Sequence, residues 1–379
     1  MTIQQRFSID YRYDILFTDN MFTSKLFQRT IHQSKPTSVA VIIDDGLIQH
    51  WPTLIETIEH EVKSISTLAC PILITPGGES SKNNLDQCFG IIQYIDKAKL
   101  DRQSLLIGIG GGAVLDLVGF VAAITHRGIK HLRVPTTVLG QNDSGIGTKN
   151  GINLYGKKNF LGTFVPPFAV INDCQFLSTL SDRDWRSGIA EAIKVAVLKD
   201  PEFFNWLREH VTELNNRHLP TMEQLIQRCA TLHAEHISKN GDPFEQTSSR
   251  PLDFGHWSAH KLEQISHFTI KHGEAVAIGI LIDSAYSVEI GILNNDTFDQ
   301  IFDLCQTLGF DCYHDQYLSE STINEHLIHG LDEFREHLGG ILTIPLIDAI
   351  GSPIEVNDMN KHQLILAIKK LKKVAHETS

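Results

Sequence analysis

Short apolar runs rich in β-branched residues alternate with helical patterns through the first third of the chain. They lie at residues 39–43, 71–75, 105–109 and 132–134. Each run is apolar throughout, which is typical of parallel strands that are buried on both faces. Strands that alternate with helices in this way predict an α/β layer built on a parallel sheet.

The pattern becomes helical after about residue 175. Helical periodicity is found over residues 181–198, 221–239, 254–264, 273–292, 298–308 and 361–376. Ser181 is placed to cap the first of these helices, with Asp184 three residues later. A length of 379 residues suits two domains, so we expect an α/β domain over residues 1–175 and a mostly helical domain over residues 176–379.

Charge and cysteine usage exclude several classes of protein. The net charge of −12 argues against a general surface for nucleic acid or for anionic membranes. The six cysteines are scattered and form no C-x-x-C pair, which is typical of reduced thiols in a cytosolic protein. The longest apolar run, residues 275–282, is far shorter than the roughly 20 residues that span a bilayer. The N-terminal residues lack the pattern of a signal peptide, so we expect a cytoplasmic protein.

A glycine-rich turn follows the third strand, in the sequence IGIGGGAVLDLVGF at residues 107–120. Gly110, Gly111 and Gly112 would let backbone N–H groups approach a pyrophosphate at the start of a helix; the alternative is an ordinary tight turn. Asp44 and the loop PGGESSK at residues 76–82 also follow strands. Open α/β sheets bind ligands at these carboxyl ends, which favours a dinucleotide site.

Residues 133–164 form a segment rich in glycine, asparagine and lysine. Lys149, Lys158 and Asn159 are unusual in so acidic a chain, and Arg127 lies just upstream. Several cations in a glycine-rich loop suit a phosphorylated ligand. The alternative is an exposed loop with ordinary lysines. Arg127 and Arg133 just upstream favour the phosphate-binding interpretation.

Two further motifs lie in predicted helices. Glu191 and Lys194 share one face of an apolar helix, where they form either a structural ion pair or a metal carboxylate beside a catalytic lysine. His256 and His260 also share a helical face, and His272 opens the next helix. Glu191, His256 and His272 would make a Glu/His₂ set of the kind that holds catalytic zinc with one position open.

Taken together, these segments closely resemble the dehydroquinate synthase superfamily, the sugar phosphate cyclases, over roughly residues 39–351. The resemblance is carried by PGGE-x-x-K, GGG-x-x-x-D, RG-x-x-x-x-x-VPTT, Q-x-DS-x-x-G-x-K-x-G-x-N, GKKN, SG-x-AE-x-x-K, FGH-x-x-x-H and HGEAVAIG. It implies a Rossmann-like NAD-binding domain followed by a helical metal-binding domain, with the active site in the cleft between them.

The resemblance also implies the site residues. The metal ligands would be Glu191, His256 and His272, holding zinc or another divalent metal such as cobalt. Residues around NAD would be Asp44, Glu79, Lys82, Gly110, Gly111, Gly112, Asp116, Thr136, Thr137, Lys158, Phe176 and Thr179. Catalytic residues would be Asp143, Lys149, Asn159, Lys194, Asp253, His260 and Arg127. His260 would belong to the phosphate pocket, and Arg127 would reach the substrate phosphate of the partner subunit in a homodimer.

In this superfamily, NAD oxidises one hydroxyl of a phosphorylated sugar, phosphate is eliminated, and the ketone is reduced again. The ring then opens, and an intramolecular aldol step closes a carbocycle. The resemblance therefore implies a carbon–oxygen lyase that makes a cyclitol-type product without consuming its cofactor.

The chain departs from the synthases where they recognise a substrate carboxylate. Ser249 occupies the place of their arginine, with Arg250 one step out of register. Their lysine falls in a stretch that here contains His233, Glu235 and His236. A carboxylate without these cations would be buried unpaired, at a cost of several kcal/mol.

Two more positions differ. Asp253 replaces an asparagine that would donate to phosphate, and DEFREHLGG at residues 332–340 replaces a lysine-rich turn, where Arg335 or His337 could substitute. These changes resemble the cyclases that use a neutral-ended ketose phosphate, such as the 2-epi-5-epi-valiolone synthases acting on sedoheptulose 7-phosphate. The stretch RPLDFGHWSAHKLE, residues 250–263, resembles the EboD-type cyclases.

Three alternatives stay open at this point. A 3-dehydroquinate synthase could use Arg250 as a relocated cation. A metal-dependent polyol dehydrogenase of the glycerol dehydrogenase or iron-dependent alcohol type shares the glycine turn and the helical metal domain, but a simple alcohol needs no cluster such as Lys149, Lys158 and Lys194. A non-catalytic binding protein would be expected to have lost some of the three metal ligands.

Overall fold

The computed structural model describes residues 2–83, 85–239, 244 and 252–377. The chain divides into two compact units. Unit 1 comprises Met1–Pro135, Thr148–Leu154 and Asn159–Asp173. Unit 2 comprises Thr136–Gly147, Tyr155–Lys158 and Cys174–Ser379.

A six-stranded parallel sheet forms the centre of unit 1. Its strands are β1 (Asp14–Thr18), β2 (Val39–Asp44), β3 (Leu73–Thr75), β4 (Leu105–Gly110), β5 (Lys130–Pro135) and β8 (Ala169–Asp173). The order across the sheet is β1-β8-β5-β4-β2-β3, and every pairing is parallel. The predicted strands are therefore confirmed as β2 to β5, whereas β1 and β8 were not predicted. A separate two-stranded sheet pairs β6 (Lys149–Leu154) with β7 (Lys157–Phe164).

Helices pack against this sheet and supply the rest of the core. They are α1 (Leu26–Ser34), α2 (Asp45–His50), α3 (Leu54–Lys63), α4 (Leu85–Lys97) and α5 (Gly112–Ile124). One core cluster joins Ile42 and Leu106 of the sheet to Ile91 of α4 and Val118 of α5. Full burial of such a side chain contributes roughly 1.5–3 kcal/mol, so this cluster fixes α4 and α5 against the sheet.

Unit 2 is mostly helical. Its helices are α6 (Asp182–Ser187), α7 (Ile189–Lys199), α8 (Pro201–Glu209), α9 (Val211–Asn215), α10 (Leu219–Lys239), α11 (His256–Ile265), α12 (His272–Glu289), α13 (Asn295–Thr307), α14 (Glu320–Thr322), α15 (His329–His337) and α16 (Lys361–Glu377). Strands β9 (Ile344–Ala349) and β10 (Ser352–Val356) pair antiparallel. Helix α12 is buried along nearly its whole length and packs against α7, α11, α13 and α16.

The prediction of one helix over residues 181–198 is wrong, because Gly188 separates α6 from α7. The Gly188 carbonyl accepts a hydrogen bond from Asn142 Nδ2 at 2.7 Å. A Cβ atom at Gly188 would overlap the backbone nitrogen of Leu139 and the side chain of Val138, so only glycine permits this approach. Ser181 caps α6 as predicted, with its hydroxyl accepting from Asp184 N at 3.1 Å.

No helix within the described ranges combines the length and the apolar character that crossing a bilayer requires.

Candidate functional site

Three helices of unit 2 bring Glu191, His256 and His272 together. Glu191 lies in the first turn of α7, and the two histidines are the first residues of α11 and α12. Oε1 of Glu191 lies 3.3 Å from Nε2 of His272 and 3.6 Å from Nε2 of His256. One donor atom from each of the three residues lies within 4.8 Å of the other two, which is the arrangement of a metal site.

The start of α11 is fixed by a glycine and a buried carboxylate. Gly255 has a φ of 76°, and a Cβ atom there would overlap the backbone of Gly279 and Ile280 in α12. Asp283 of α12 accepts hydrogen bonds from Gly255 N and from Trp257 Nε1, both at 2.8 Å. Burial raises the pKa of Asp283 to about 7, although both donors lower it. These contacts determine where His256 begins its helix.

A buried ion pair lies beside the two histidines. Lys194 Nζ is 2.5 Å from Oε2 of Glu191, and the side chains are 3% and 0% exposed. Burial favours the protonated carboxyl, but Lys194, His256 and His272 hold the pKa of Glu191 well below its usual range. Burial likewise opposes protonation of Lys194, but Glu191 and Asp143 raise the Lys194 pKa above its usual value. Both groups are therefore charged at neutral pH.

The donor set fits a divalent transition metal. Both oxygens of Glu191 are buried; Oε2 pairs with Lys194, and Oε1 faces the two histidine rings. His256 Nδ1 lies 3.0 Å from the carbonyl oxygen of Phe254, and His272 Nδ1 lies 3.1 Å from Oε2 of Glu263. With Nδ1 directed at these acceptors, Nε2 of each histidine is turned toward Glu191 and would hold a metal once it has lost its proton.

Glu263 of α11 is a buried carboxylate that none of the sequence motifs identified. It is 3% exposed, and its oxygens accept from Lys158 Nζ at 2.8 and 2.9 Å. Burial raises its pKa, but Lys158 and His272 carry the value below the usual range. The available signal was its position three residues after His260, which places the two side chains on one face of the predicted helix.

His260 packs among these groups as a neutral ring. Its centroid lies 5.5 Å from that of His256 and 5.9 Å from that of His272. Burial and the Lys158 ammonium lower the pKa of His260 well below its usual value. Burial and Lys158 act in the same direction on His272, but Glu263 and Glu191 outweigh them and raise its pKa to about 9.

Asp143 and His233 form a second pair in unit 2. Asp143 lies in a π-helical turn, Gly140–Ser144, and its Oδ1 is 2.9 Å from Nδ1 of His233 in α10. Burial and the nearby Glu191 raise the Asp143 pKa, but Lys194 and His233 lower it below the usual value overall. Of the three residues considered in place of the family lysine, His233 is the one that contacts Asp143.

His236 and Glu235 contact other residues. His236 Nδ1 lies 3.1 Å from Lys199 Nζ, and Glu235 forms a half-exposed pair with Lys239 at 2.8 Å. Arg335 pairs with Asp332 on the surface at 2.9 Å. Ser249 and Arg250 lie outside the described residues, as does the side chain of His337. Asp253 acts electrostatically on Lys194, and its backbone oxygen accepts from His256 N at 2.9 Å.

In unit 1 the glycine-rich turns converge on Asp44 at the end of β2. Its carboxylate accepts from Gly46 N at 3.0 Å and from Gly111 N at 3.5 Å. Cβ atoms at Gly77 or Gly110 would overlap the Asp44 side chain. The glycines therefore allow three loops to approach one carboxylate at the carboxyl ends of β2, β3 and β4, where α/β sheets bind ligands.

A buried lysine, Lys82, contacts three other residues of the predicted cofactor and substrate set. Lys82 is 2% exposed and donates to Asp116 Oδ2 at 2.7 Å and to Asn159 Oδ1 at 2.5 Å. Its ammonium is also 3.9 Å from Glu79 Oε1, which accepts from Asn153 Nδ2 at 2.9 Å. This network holds β6 and β7 beside the loop that follows β3.

The remaining predicted residues lie outside these clusters. Gly112 begins α5, Lys149 begins β6 as an exposed residue, and Arg127 is exposed with a φ of 65°. Thr136, Thr137, Phe176 and Thr179 belong to unit 2. Thr137 Oγ1 accepts from Gly140 N at 3.0 Å, and Thr179 Oγ1 donates to the Phe176 carbonyl at 3.2 Å.

Known proteins are similar to this chain in both sequence and fold. Residues 72–187 match the family described as 3-dehydroquinate synthase N-terminal, and residues 188–329 match 3-dehydroquinate synthase C-terminal. A 3-dehydroquinate synthase of Dictyoglomus turgidum is 34% identical over 300 residues, which covers 79% of this chain and 82% of that protein. A 2-epi-valiolone synthase of Actinosynnema mirum is 30% identical over 296 residues, covering 78% of this chain and 76% of the relative.

A solved structure extends the comparison of the fold. The 2-epi-5-epi-valiolone synthase of Streptomyces hygroscopicus subsp. jinggangensis, with NAD⁺ and Zn²⁺ bound, superposes with a TM-score of 0.87 at 24% identity. The match covers 98% of this chain and 99% of that chain. The expected fold class is thereby confirmed: a Rossmann-like parallel α/β layer followed by a mostly helical part. The chain belongs to the 3-dehydroquinate synthase family.

Proposed function

We propose that this protein is an NAD- and divalent-metal-dependent sugar phosphate cyclase, a phosphate-eliminating lyase acting on a seven-carbon ketose phosphate of the sedoheptulose 7-phosphate type. One observation carries the metal-dependent part. The buried Glu191 carboxylate pairs with Lys194 through Oε2, and its Oε1 faces the Nε2 atoms of His256 and His272. The NAD⁺ and Zn²⁺ bound to the Streptomyces enzyme support the same pair of cofactors here.

Glu191, His256 and His272 would hold the metal, and the loops around Asp44, with the Lys82 network, would hold NAD. The bound metal supplies a Lewis acid that polarises a substrate oxygen, and NAD supplies reversible hydride transfer. Lys194 stays protonated beside Glu191 and offers N–H donors and positive charge to an anionic substrate.

Two groups of the chain can move protons. Asp143 is held ionised by Lys194 and His233, so its carboxylate can accept a proton from substrate. His260 is held neutral by burial and by Lys158, so a ring nitrogen can take up the proton that substrate carbon loses when phosphate is eliminated.

The choice of a neutral-ended substrate rests on His233. The synthases place a lysine in this stretch to bind a substrate carboxylate, but here an imidazole pairs with Asp143. Asp253 adds a further negative group near Lys194. A substrate carboxylate would meet these groups without a dedicated lysine, and an uncompensated buried charge costs several kcal/mol.

A second candidate is 3-dehydroquinate synthase itself, because the Dictyoglomus relative carries that name at 34% identity. One experiment separates the two. Inorganic phosphate release by the zinc-loaded protein is measured with NAD on sedoheptulose 7-phosphate and, in parallel, on 3-deoxy-D-arabino-heptulosonate 7-phosphate. We expect release from the first substrate only; release from the second alone would establish the synthase.

Two controls make this result specific. Release must depend on added NAD, because a contaminating phosphatase needs none. Glu191→Gln must abolish release while the protein remains folded, since the amide removes a charged metal ligand. Phosphate release that survives both controls would refute the proposed cyclase.

The proposal includes a cytoplasmic homodimer in which Arg127 of one protomer reaches the substrate phosphate bound by the other. The exposed Arg127, at the end of a short 3₁₀ turn, supports this arrangement. Mixing inactive Arg127→Ala with inactive Glu191→Gln protein tests it. Subunit exchange should restore part of the activity, because one hybrid site then contains both native residues.

A further inference from the structure

Glu263 lies between a proposed metal ligand and a proposed cofactor-binding lysine. Its side chain is 3% exposed in the third turn of α11. Both carboxylate oxygens accept from Lys158 Nζ, and Oε2 also lies 3.1 Å from Nδ1 of His272. Neither the metal ligands nor the predicted NAD contacts include it.

This carboxylate has two conceivable roles. With His260 and His272 it forms a second group of side chains that could hold a metal. However, Lys158 already places a positive charge 2.8 Å from Oε1 and 2.9 Å from Oε2 of Glu263. A divalent ion there would lie against the Lys158 ammonium, and like charges so close repel strongly in a buried site. The contacts therefore favour a hydrogen-bonding role.

We propose that Glu263 is a positioning residue that orients His272 toward the metal and anchors Lys158 beside it. As acceptor for the Nδ1–H of His272, Glu263 directs the Nε2 lone pair toward the pocket shared with Glu191. This inference depends on the proposed metal site but not on the identity of the sugar.

His256 and His272 differ in the group that faces Nδ1. His256 donates its Nδ1–H to a neutral carbonyl, that of Phe254 at 3.0 Å. His272 faces a full negative charge, which makes an imidazole a stronger metal ligand. Loss of such an outer partner typically lowers metal affinity about 10- to 100-fold. We therefore expect Glu263 to contribute to affinity in a way that the Phe254 carbonyl does not.

Lys158 complicates a simple substitution. Removing the Glu263 charge leaves the Lys158 ammonium, 13% exposed, without its carboxylate partner, and this alone destabilises the fold. The double variant Glu263→Gln/Lys158→Met removes both charges. It therefore isolates the effect of Glu263 on His272 from the effect of an unpaired lysine.

The test is zinc affinity by competition with a chromophoric chelator, together with the visible absorption spectrum of the cobalt-loaded protein. Both readouts are independent of sugar and of NAD. We expect Glu263→Gln and the double variant to bind zinc about 10- to 100-fold more weakly than the native chain, with an altered cobalt spectrum. Glu263→Asp, which keeps the charge, should bind more tightly than Glu263→Gln.

Glu274→Gln is the matched control. Glu274 lies two residues after His272 and pairs with Arg183, and no contact joins it to the His272 ring among the described contacts. Its substitution also removes one negative charge, from the first turn of α12 that His272 begins, and zinc affinity should stay within about twofold of the native value. Thermal unfolding of each metal-free variant shows that the compared proteins are folded.

Three results would overturn the inference. Native zinc affinity in folded Glu263→Gln would show that the carboxylate does not act through His272. Two zinc ions per native chain, one of them lost in Glu263→Gln, would make Glu263 a ligand. Absence of zinc binding by the native chain would remove the proposed metal site itself, a failure distinguishable from the other two.

Discussion

Lys194 Nζ lies 2.5 Å from Oε2 of Glu191, one helical turn away on α7, and water reaches neither group to any useful extent. Each charge is tolerated in the interior chiefly because of the other. The pair therefore couples the stability of the metal-free protein to the charge at the proposed metal site.

Lys194→Met should lower the free energy of unfolding of the metal-free protein by about 3–5 kcal/mol, because it leaves a buried carboxylate uncompensated. Glu191→Gln/Lys194→Met should cost less than the sum of the two single changes. Urea unfolding at pH 7 in the presence of a chelator measures both effects. Zinc should restore part of the stability lost in Lys194→Met, since a cation again lies beside Glu191. If the effects of the two single changes simply add up in the double variant, the proposed coupling is contradicted.

Gly77→Ala should weaken NAD binding and lower stability by about 1–3 kcal/mol, because its Cβ overlaps the Asp44 carboxylate. Gly90→Ala is the control, since Gly90 is exposed within α4 and nothing lies within 4 Å of an added Cβ. That change should stabilise the helix by roughly 0.5–1 kcal/mol and leave NAD binding unchanged. Calorimetric titration with NAD and urea unfolding measure the two effects. Equal NAD affinity in both variants would show that the loop against Asp44 does not bind the cofactor.

His233→Lys should shift the ratio of kcat/KM toward 3-deoxy-D-arabino-heptulosonate 7-phosphate by about 10- to 100-fold, the value of a charge-assisted hydrogen bond. Thr231→Lys adds the same charge to an exposed position of α10 and should leave the ratio unchanged. Phosphate release on both sugars gives the ratio. An unchanged ratio in His233→Lys would mean that residue 233 does not face the substrate carboxylate.

Asp283 should make stability depend on pH between about 4 and 7. Burial raises its pKa from 3.8 to about 7, so the native state binds a proton more tightly than the unfolded state in this range. Stability from this group is greatest at low pH and is lost as the pH rises through 7. Asp283→Asn removes that dependence, although it also disturbs the bonds from Gly255 and Trp257.

The native chain should therefore lose stability relative to Asp283→Asn as the pH rises from 5 to 8. The change should be on the order of 2 kcal/mol, since one unit of pKa corresponds to about 1.4 kcal/mol. Urea unfolding at both pH values measures it. A difference that stays constant would show that the Asp283 pKa is close to its usual value.

The strands β2 to β5 and most helices were predictable because their signals are local. A run such as residues 39–43 is apolar throughout, and its neighbours along the chain suffice to identify a buried strand. The break at Gly188 was not predictable, because its cause is contact with Val138 and Leu139, about fifty residues earlier. Short-range patterns contain no information about such an approach.

The same distinction applies to the site. The motifs around Glu191, His256 and His272 identified them as a possible ligand set from the sequence alone, and the structure brings them together. The contacts of Glu263 with Lys158 and of His233 with Asp143 join residues 105 and 90 positions apart. Sequence determined which residue types were present for metal and phosphate chemistry. Only tertiary packing decided which buried charges meet, because an ion pair depends on distance in space and not along the chain.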